Sequence, residues 1–284
     1  MRNFLLLTLV FCLFTFPAIA QHENDNWYFG SRAGISFKNG NPIALTDGQL
    51  NSAEGCATMS DRNTGSLLFY TDGLTVWNSK HQVMKNGTGL LGGYSCTQSA
   101  LIVPNPADSL SYYLFTAPDR TPGFGVTALY YSIVSFTDPN GEVITKNVKL
   151  VDNLSEKLTG TLDCDRSGYW VLVHHQTTGT IYAYHLTPNG LDTVPVVSHY
   201  LDPDLGFTSG YLKFSPNGKK LAMAFSVVFG ANSNISLFDF DNKTGIVSNY
   251  MLLSKNETFS KCHGISFSPD NTKLYATMNK TLSN

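Results

Sequence analysis

An internal repeat near the end of the printed chain constrains the fold more than any other feature. Residues 212–223 recur as residues 265–276, so that Phe214 returns 53 positions later as Phe267. In each copy, apolar and β-branched residues flank a polar turn that contains proline and asparagine, which is the pattern of a β-strand, a turn and a second strand. Periods of about 40 to 50 residues with four short strands each are typical of β-propeller blades.

Further strands can be traced upstream of this repeat. Three complete units of four strands each are predicted. Their strands lie at 211–214, 220–226, 234–240 and 246–253, at 161–165, 169–175, 180–186 and 193–200, and at 99–103, 111–117, 128–136 and 142–150. A fourth unit begins with strands at 56–60, 66–71 and 75–78. No segment longer than about ten residues shows a 3.6-residue apolar period, which disfavours a βαβ sheet. Charged residues make up only 14% of the chain, against about 25% in an ordinary soluble domain. The sequence therefore predicts an all-β propeller of four-stranded blades.

Two partial blades flank the four full ones, which run from about residue 52 to 255. Residues 27–37 look like later strands of a blade whose partner comes from elsewhere, and residues 264–278 supply only two strands. A propeller protects its strand edges by closing the ring, so an unpaired terminal blade leaves backbone donors and acceptors bare. We therefore expect an incomplete propeller domain over residues 21–284, in a natural chain that continues beyond Asn284.

The first 20 residues form a separate unit. They begin with one cation, Arg2, continue through an apolar stretch at 4–16 and end on Ala18-Ile19-Ala20, which is the pattern of a cleaved secretory signal peptide. The apolar stretch is shorter than the ~20 residues that a membrane-spanning helix needs. The sequence predicts an exported protein whose mature chain begins at Gln21 and does not insert into a membrane.

The net charge disfavours some classes of partner, and the cysteine content limits the possible disulfide bonds. The formal net charge of the full chain is −2 and no basic run occurs, so nucleic acid and anionic membranes are disfavoured as partners. No C-x-x-C pair is present, which excludes a zinc ribbon. Removal of the signal peptide leaves four widely separated cysteines, either paired in one of three connectivities or buried as free thiols: Cys56, Cys96, Cys164 and Cys262.

Several phrases of the sequence together resemble a known family. They are 26–30 (NWYFG), 33–37 (AGISF), 54–57 (EGCA), 67–73 (LLFYTDG), 76–78 (VWN), 84–87 (MKNG), 98–100 (QSA), 102–106 (IVPNP) and 112–116 (YYLFT). In this order they are similar to the N-terminal propeller of gliding-motility-associated surface proteins that the type IX system exports. The resemblance covers the mature chain and is densest from Asn26 to Thr116.

This resemblance implies a ring of seven blades and a surface or adhesive role, and it transfers no catalytic residue. In the family, immunoglobulin-like domains and a C-terminal sorting domain typically follow the propeller, and the printed chain shows neither. The expected location is secreted or cell-surface, or periplasmic if the sorting domain is absent. The expected partner is a polysaccharide or another surface protein.

Two functions follow from these observations. The first is an exported noncatalytic binding or adhesion module linked to gliding motility. The alternative is a propeller enzyme of lactonase-like or other hydrolase type, because residues 267–270 (FSPD) and 273–275 (KLY) resemble sequence motifs of lactonase-like propellers. No acid and histidine set for the ring centre is recognisable in the sequence, so the binding module is the predicted function and no catalytic residue is assigned.

Three local motifs point only weakly to chemistry. Residues 87–92 fit the spacing G-x-G-x-x-G, but a strand rather than a helix is predicted to follow, so no cofactor is assigned. Residues 163–168 imitate the first half of an EF-hand loop, yet His174 stands where a bidentate Glu is required. His174 and His175 are neighbours on a strand and point to opposite faces, so they cannot hold one ion together. No metal ligand is assigned.

Overall fold

The computed structural model describes residues 22–119, 127–201, 208–227, 234–255 and 259–280. Every regular element in these ranges is a β-strand. None of the described segments is a helix with the length and apolar character to cross a bilayer. The predicted signal peptide, residues 1–20, lies outside the described residues.

Four blades, named I to IV in chain order, form the body of the fold. Blade I contains β4 (Ala57–Ser60), β5 (Leu67–Thr71), β6 (Thr75–Asn78) and β7 (Val83–Thr88), and blade II contains β8 (Ala100–Pro104), β9 (Ser111–Thr116), β10 (Ala128–Ser135) and β11 (Glu142–Asp152). Blade III contains β12 (Leu154–Leu162), β13 (Tyr169–His175), β14 (Thr180–Thr187), β15 (Gly190–Leu191) and β16 (Val196–His199), and blade IV contains β17 (Thr208–Ser209), β18 (Leu212–Phe214), β19 (Lys220–Val227), β20 (Asn234–Asp241) and β21 (Ile246–Lys255).

Each full blade is an antiparallel meander. In blade III the fourth strand is interrupted, since β15 and β16 both pair with β14, and in blade IV the first strand is interrupted in the same way. The outer edges of blades I and II meet at one parallel bridge between Lys85 and Glu142, which joins them into an eight-stranded sheet. The prediction of an all-β propeller with four-stranded blades is confirmed.

Two partial sheets flank the blades. The first is β1 (Asn26–Phe29), β2 (Ala33–Ser36) and β3 (Ile43–Leu45), and the last is β22 (Phe259–Phe267) with β23 (Leu274–Lys280). The described part of the chain thus contains four full blades and two partial ones, as the sequence predicts.

The first strands of neighbouring blades lie side by side. Just before β4 and β8, the Ala53 N–H donates to the Tyr94 carbonyl at 3.2 Å and the Gly55 N–H donates to the Cys96 carbonyl at 3.0 Å. The two segments therefore run in the same direction. This parallel approach brings the beginnings of the first strands together at one end of the molecule.

The strand β1 approaches blade I in the opposite direction. Its Asn26 N–H donates to Ser60 Oγ at 3.3 Å and its Tyr28 N–H donates to Thr58 Oγ1 at 2.9 Å, so β1 is antiparallel to β4. Second strands of a meander run antiparallel to first strands. The first partial sheet therefore supplies the later strands of a blade, with its first-strand position beside β1.

Hydrophobic cores form between adjacent blades, because each sheet buries one face against the next. Trp170 is 4% exposed and packs with Leu172 and Phe238 in the cluster between blades III and IV. Comparable clusters around Phe115 and Phe69 lie between blades II and III and between blades I and II. These interblade cores fix the radial positions of the first strands and of the polar side chains that they carry.

The structure extends two strands that the sequence predicts too short. The strand β12 begins at Leu154 rather than at 161, and β22 begins at Phe259 rather than near 264. These extensions contain charged or polar residues such as Glu156, Lys157 and His263. Their sequences therefore lack the regular alternation of apolar residues from which strands are predicted. Strands β3 and β7 are likewise absent from the prediction, and β7 includes Gly87, the first glycine of the G-x-G-x-x-G spacing.

Candidate active site

Polar side chains gather where the first strands begin. Glu54 precedes β4 and Thr97 precedes β8, while Glu156 lies near the start of β12 and His263 lies within β22. These positions come from blades I, II and III and from the last partial sheet. We call these four residues the axial cluster.

Thr97 contacts both Glu156 and His263 and so lies at the centre of the axial cluster. Its backbone N–H and its hydroxyl group both donate to Glu156 Oε2, at 3.0 and 2.8 Å. The Gly210 N–H donates in turn to Thr97 Oγ1 at 3.3 Å. Thr97 is 1% exposed, so these contacts hold one oxygen of the Glu156 carboxylate in a fixed place. Glu156 is partly exposed, so a water molecule can reach its carboxylate.

His263 joins Thr97 to Glu54. Its Nε2 lies 3.4 Å from Thr97 Oγ1 and 3.7 Å from Glu54 Oε2. Because the single Thr97 hydroxyl proton is donated to Glu156, the contact with His263 requires a proton on Nε2. The side chains of Glu54 and His263 are 35% and 38% exposed, so a small molecule can reach both.

The electrostatic environment raises the pKa of Glu54 and lowers the pKa of His263. Burial, followed by the negative charge of Glu156, raises the pKa of Glu54 above its ordinary value, while the nearby Thr97 side chain acts in the opposite direction. Burial lowers the pKa of His263, and the positive charge of Lys157 lowers it further. A carboxylic acid with a raised pKa beside a second carboxylate is the arrangement of a general acid and a general base.

A buried lysine lies behind the axial cluster. Lys157 follows Glu156 in β12 and is fully buried, with Nζ donating to the Ser209 carbonyl at 3.0 Å and lying 5.1 Å from the centre of the Phe225 ring. Burial lowers its pKa to about 7 despite the neighbouring charge of Glu156. Lys157 also lowers the pKa of His174, another fully buried group.

The side chain of Gln98 forms hydrogen bonds with backbone groups of two neighbouring first strands and so joins three first strands next to the axial cluster. Gln98 Oε1 accepts from the N–H groups of Leu212 at 2.8 Å and Leu158 at 3.3 Å, and its Nε2 donates to the Leu212 carbonyl at 3.1 Å. Gly55 packs so tightly that a Cβ atom would lie 2.2 Å from the Ser99 nitrogen. Close packing of this kind positions the neighbouring Glu54 and Thr97.

A cavity of about 700 Å³ opens beside the axial cluster. The first strands and β1 line it, with Glu54, Thr97, Gln98, Trp27, Tyr211 and Lys213 among its residues. Tyr211 lies edge-on to the His263 ring, with 5.8 Å between ring centres. This volume is within the range of small-molecule sites in proteins.

The motifs singled out from the sequence lie elsewhere. Residues 87–92 are not followed by a helix, and Asp163 closes a hairpin turn in which its N–H donates to the Gly168 carbonyl at 3.0 Å. His174 is buried, where it contacts Ser155 and Tyr200, whereas His175 is partly exposed. In the described ranges no three His, Cys, Asp or Glu side chains are arranged to hold a metal ion.

The four mature cysteines are free thiols, which resolves the alternatives left open by the sequence. Cys96 and Cys262 are buried, Cys56 is partly buried and Cys164 is exposed. Burial raises the pKa values of Cys56 and Cys262 to about 11. The thiols of the site region are thus in their neutral form at physiological pH.

The sequence analysis missed the axial cluster. Glu54, Thr97 and Glu156 precede or begin the first strands of their units, and His263 lies in the middle of β22. The sequences of the units differ at these positions. The signal that could have found them is positional: a polar residue stands two to three places before the first apolar residues of each unit, as in Glu54-Gly55-Cys56 and Thr97-Gln98-Ser99.

No protein-family model and no curated protein matches the chain. Three solved structures are similar to it in fold. A protein from Bacteroides fragilis, assigned provisionally as a 6-phosphogluconolactonase, is 12% identical, with 89% of this chain and 74% of that one covered and a TM-score of 0.48. An exo-beta-1,3-galactanase from Phanerochaete chrysosporium is 14% identical (89% and 64%, TM-score 0.42), and an endo-arabinase from Bacteroides thetaiotaomicron is also 14% identical (81% and 94%, TM-score 0.40).

These findings correct the predicted function. All three structures are named as enzymes and none as a gliding-motility protein. The prediction of a noncatalytic binding or adhesion module is corrected to its alternative, a propeller enzyme, which is taken up below as a proposal. The physical reason is that folding brings acids and a histidine from distant units onto the axis, a set that the sequence does not display. The fold class itself, a β-propeller, is shown.

Proposed function

We propose that the protein is a hydrolase whose axial cluster adds water to a lactone or a glycosidic bond of a sugar-derived substrate. The observation that carries the proposal is the convergence of Glu54, Glu156 and His263 around the buried Thr97, together with the cavity that Glu54 and Thr97 line. The names of the similar structures are consistent with this class, but the proposal depends on the geometry of the cluster.

The two carboxylates take different roles. Glu156, held by two donors of Thr97, accepts a proton from a water molecule as that water attacks the reacting carbon. Glu54, whose pKa burial and the charge of Glu156 raise, donates its proton to the leaving oxygen as the carbon–oxygen bond breaks. One proton is taken up and one is given, so the reaction is balanced.

Proton exchange with solvent restores the starting state. Thr97 contacts both Glu156 and His263, and His263 contacts Glu54, so a chain of polar atoms links the base to the acid. The proton gained by Glu156 is released to solvent, and the partly exposed Glu54 takes up a proton from solvent before the next turnover. His263 and Thr97 act as positioning residues rather than as groups that attack the substrate.

The test is a rate comparison among isosteric variants. Hydrolysis of δ-gluconolactone and of 4-nitrophenyl glycosides is measured for the wild type and for Glu54→Gln and Glu156→Gln. We expect rates to fall by about 10²- to 10⁴-fold in both variants, as when a general acid or base is removed. Glu142→Gln, a surface carboxylate paired with Lys85, is the matched control and should keep the wild-type rate. Absence of any turnover by the wild type, or wild-type rates in both axial variants, would overturn the proposal.

We also propose that the protein works outside the cytoplasm, on the strength of the signal-peptide pattern at residues 1–20. The gliding-motility resemblance, and the polysaccharide or surface protein that it implies as a partner, remain predictions from the sequence. N-terminal sequencing of protein recovered from the native cells tests the location. A mature chain that begins at Gln21 supports export, and a chain that retains Met1 contradicts it.

A further inference from the structure

A lysine with no counter-ion among the residues that the structure describes lines the cavity beside the axial cluster. Lys213 lies in β18, two residues after Tyr211, and both residues line the cavity. Two residues along an extended strand correspond to about 7 Å and return the side chain to the same face. The Tyr211 ring contacts both the His263 ring and Lys213 Nζ, so Lys213 lies about one aromatic ring away from the axial cluster.

The ammonium group of Lys213 has only an aromatic neighbour. Its Nζ lies 5.7 Å from the centre of the Tyr211 ring, and no ion pair or hydrogen bond joins it to any residue of the described part of the chain. By contrast, Lys85 forms an ion pair with Glu142 and Lys149 forms one with Asp152. The side chain is solvent-accessible, yet protein surrounds it closely enough that burial lowers its pKa.

Charge therefore divides the cavity into two ends. The axial end carries the carboxyl group of Glu54, with Glu156 behind it, and these charges repel an anion, while the other end carries Lys213, which has no counter-ion among the residues that the structure describes. An ammonium group that lines a cavity and has no counter-ion among the described residues can pair with an anionic ligand, and hydrogen bonds between charged groups are stronger than neutral ones. A ligand with a negative group at one end and a neutral reacting bond at the other matches this arrangement.

We propose that Lys213 binds the anionic group of the substrate, a carboxylate or a phosphate, so that the enzyme acts on acidic rather than neutral sugar derivatives. This inference rests on the proposed function for its reacting bond, but the anion site itself depends only on Lys213 and the cavity. The ring of Tyr211 lies between the two ends and supplies a surface for the body of the sugar.

The test measures binding without turnover. Calorimetric titration of the inactive Glu156→Gln variant with glucuronate, glucose 6-phosphate and glucose separates a carboxylate, a phosphate and a neutral ligand. We expect one or both anions to bind at least about tenfold more tightly than glucose, as a hydrogen bond to a charged group predicts. Adding Lys213→Met should remove this preference, Lys213→Arg should keep it, and Lys219→Met, an exposed lysine of the same blade, should change nothing.

Each outcome separates the two proposals. A Lys213-dependent preference for anions in a protein that hydrolyses no sugar derivative supports the anion site and overturns the hydrolase. Equal binding of anions and glucose in an active hydrolase overturns the anion site alone. A preference for anions that persists in the Lys213→Met variant also overturns it, because the anion would then bind elsewhere.

Discussion

Replacing Trp170 with alanine should remove about 4 kcal/mol of stability. The ring is 4% exposed, stacks on His185 with 4.1 Å between ring centres and contacts Phe240 edge-on at 6.2 Å, all within the core between blades III and IV. Truncation of a buried Trp to Ala typically costs about 3 to 5 kcal/mol. The Asn242 carbonyl also loses the indole donor that lies 2.9 Å away, which adds about 1 kcal/mol if no water replaces it.

Urea unfolding followed by circular dichroism measures this effect. With a urea m-value of about 3 kcal/mol/M, reasonable for a chain of this size, the midpoint should fall by about 1.3 M. The matched control is Trp27→Ala, because Trp27 is 50% exposed and its indole donates to the Asn24 carbonyl at the surface. We expect it to cost no more than about 1 kcal/mol. A Trp170→Ala variant as stable as the control would refute the assignment of this ring to an interblade core.

Three further predictions concern other buried groups. Because the pKa of Lys157 falls to about 7 in the folded state, the unfolded chain binds more protons between pH 7 and its ordinary pKa. The unfolding free energy of the wild type should therefore rise by about 1.4 kcal/mol per pH unit relative to Lys157→Met, measured from pH 7.5 to 9.5, and a constant difference would contradict this. Among the mature cysteines only Cys164 should react rapidly with a disulfide reagent in the native state, and dithiothreitol should leave the melting temperature unchanged, whereas a drop of many degrees would reveal disulfides. Gly55→Ala should lower both stability and hydrolytic rate, since its Cβ meets backbone atoms beside Glu54, and full activity would show that Gly55 does not position the site.

Much of the fold could be predicted because its determinants are local. The strand β13 and the strand β6 have the bounds expected from alternation and turn residues, and the hairpin turn at 215–220 follows from its proline, asparagine and glycine. The number of full and partial blades follows from the same local patterns. The expectation that further residues complete the ring of blades stays a prediction.

The candidate site could not be predicted because its determinants are not local. Glu54 and His263 are more than 200 residues apart in the sequence, and only the packing of blades brings them within 3.7 Å. Burial of Lys157 within β12 likewise overrides the low tendency of charged residues to lie in a strand interior. A single sequence shows each of these residues as an isolated polar position before an apolar run.

The pH dependence of kcat/KM for the wild type and Glu54→Gln tests the central claim most directly. Burial and the charge of Glu156 raise the pKa of Glu54, so the acid form that donates to the leaving group is lost as pH rises through that value. We predict that wild-type activity declines on the alkaline side at a pH above the ordinary range of a glutamate. In Glu54→Gln the residual activity should lack this decline, because an amide does not titrate. An unchanged alkaline decline in Glu54→Gln would contradict the assignment of Glu54 as the general acid and, with it, the axial cluster as the active site.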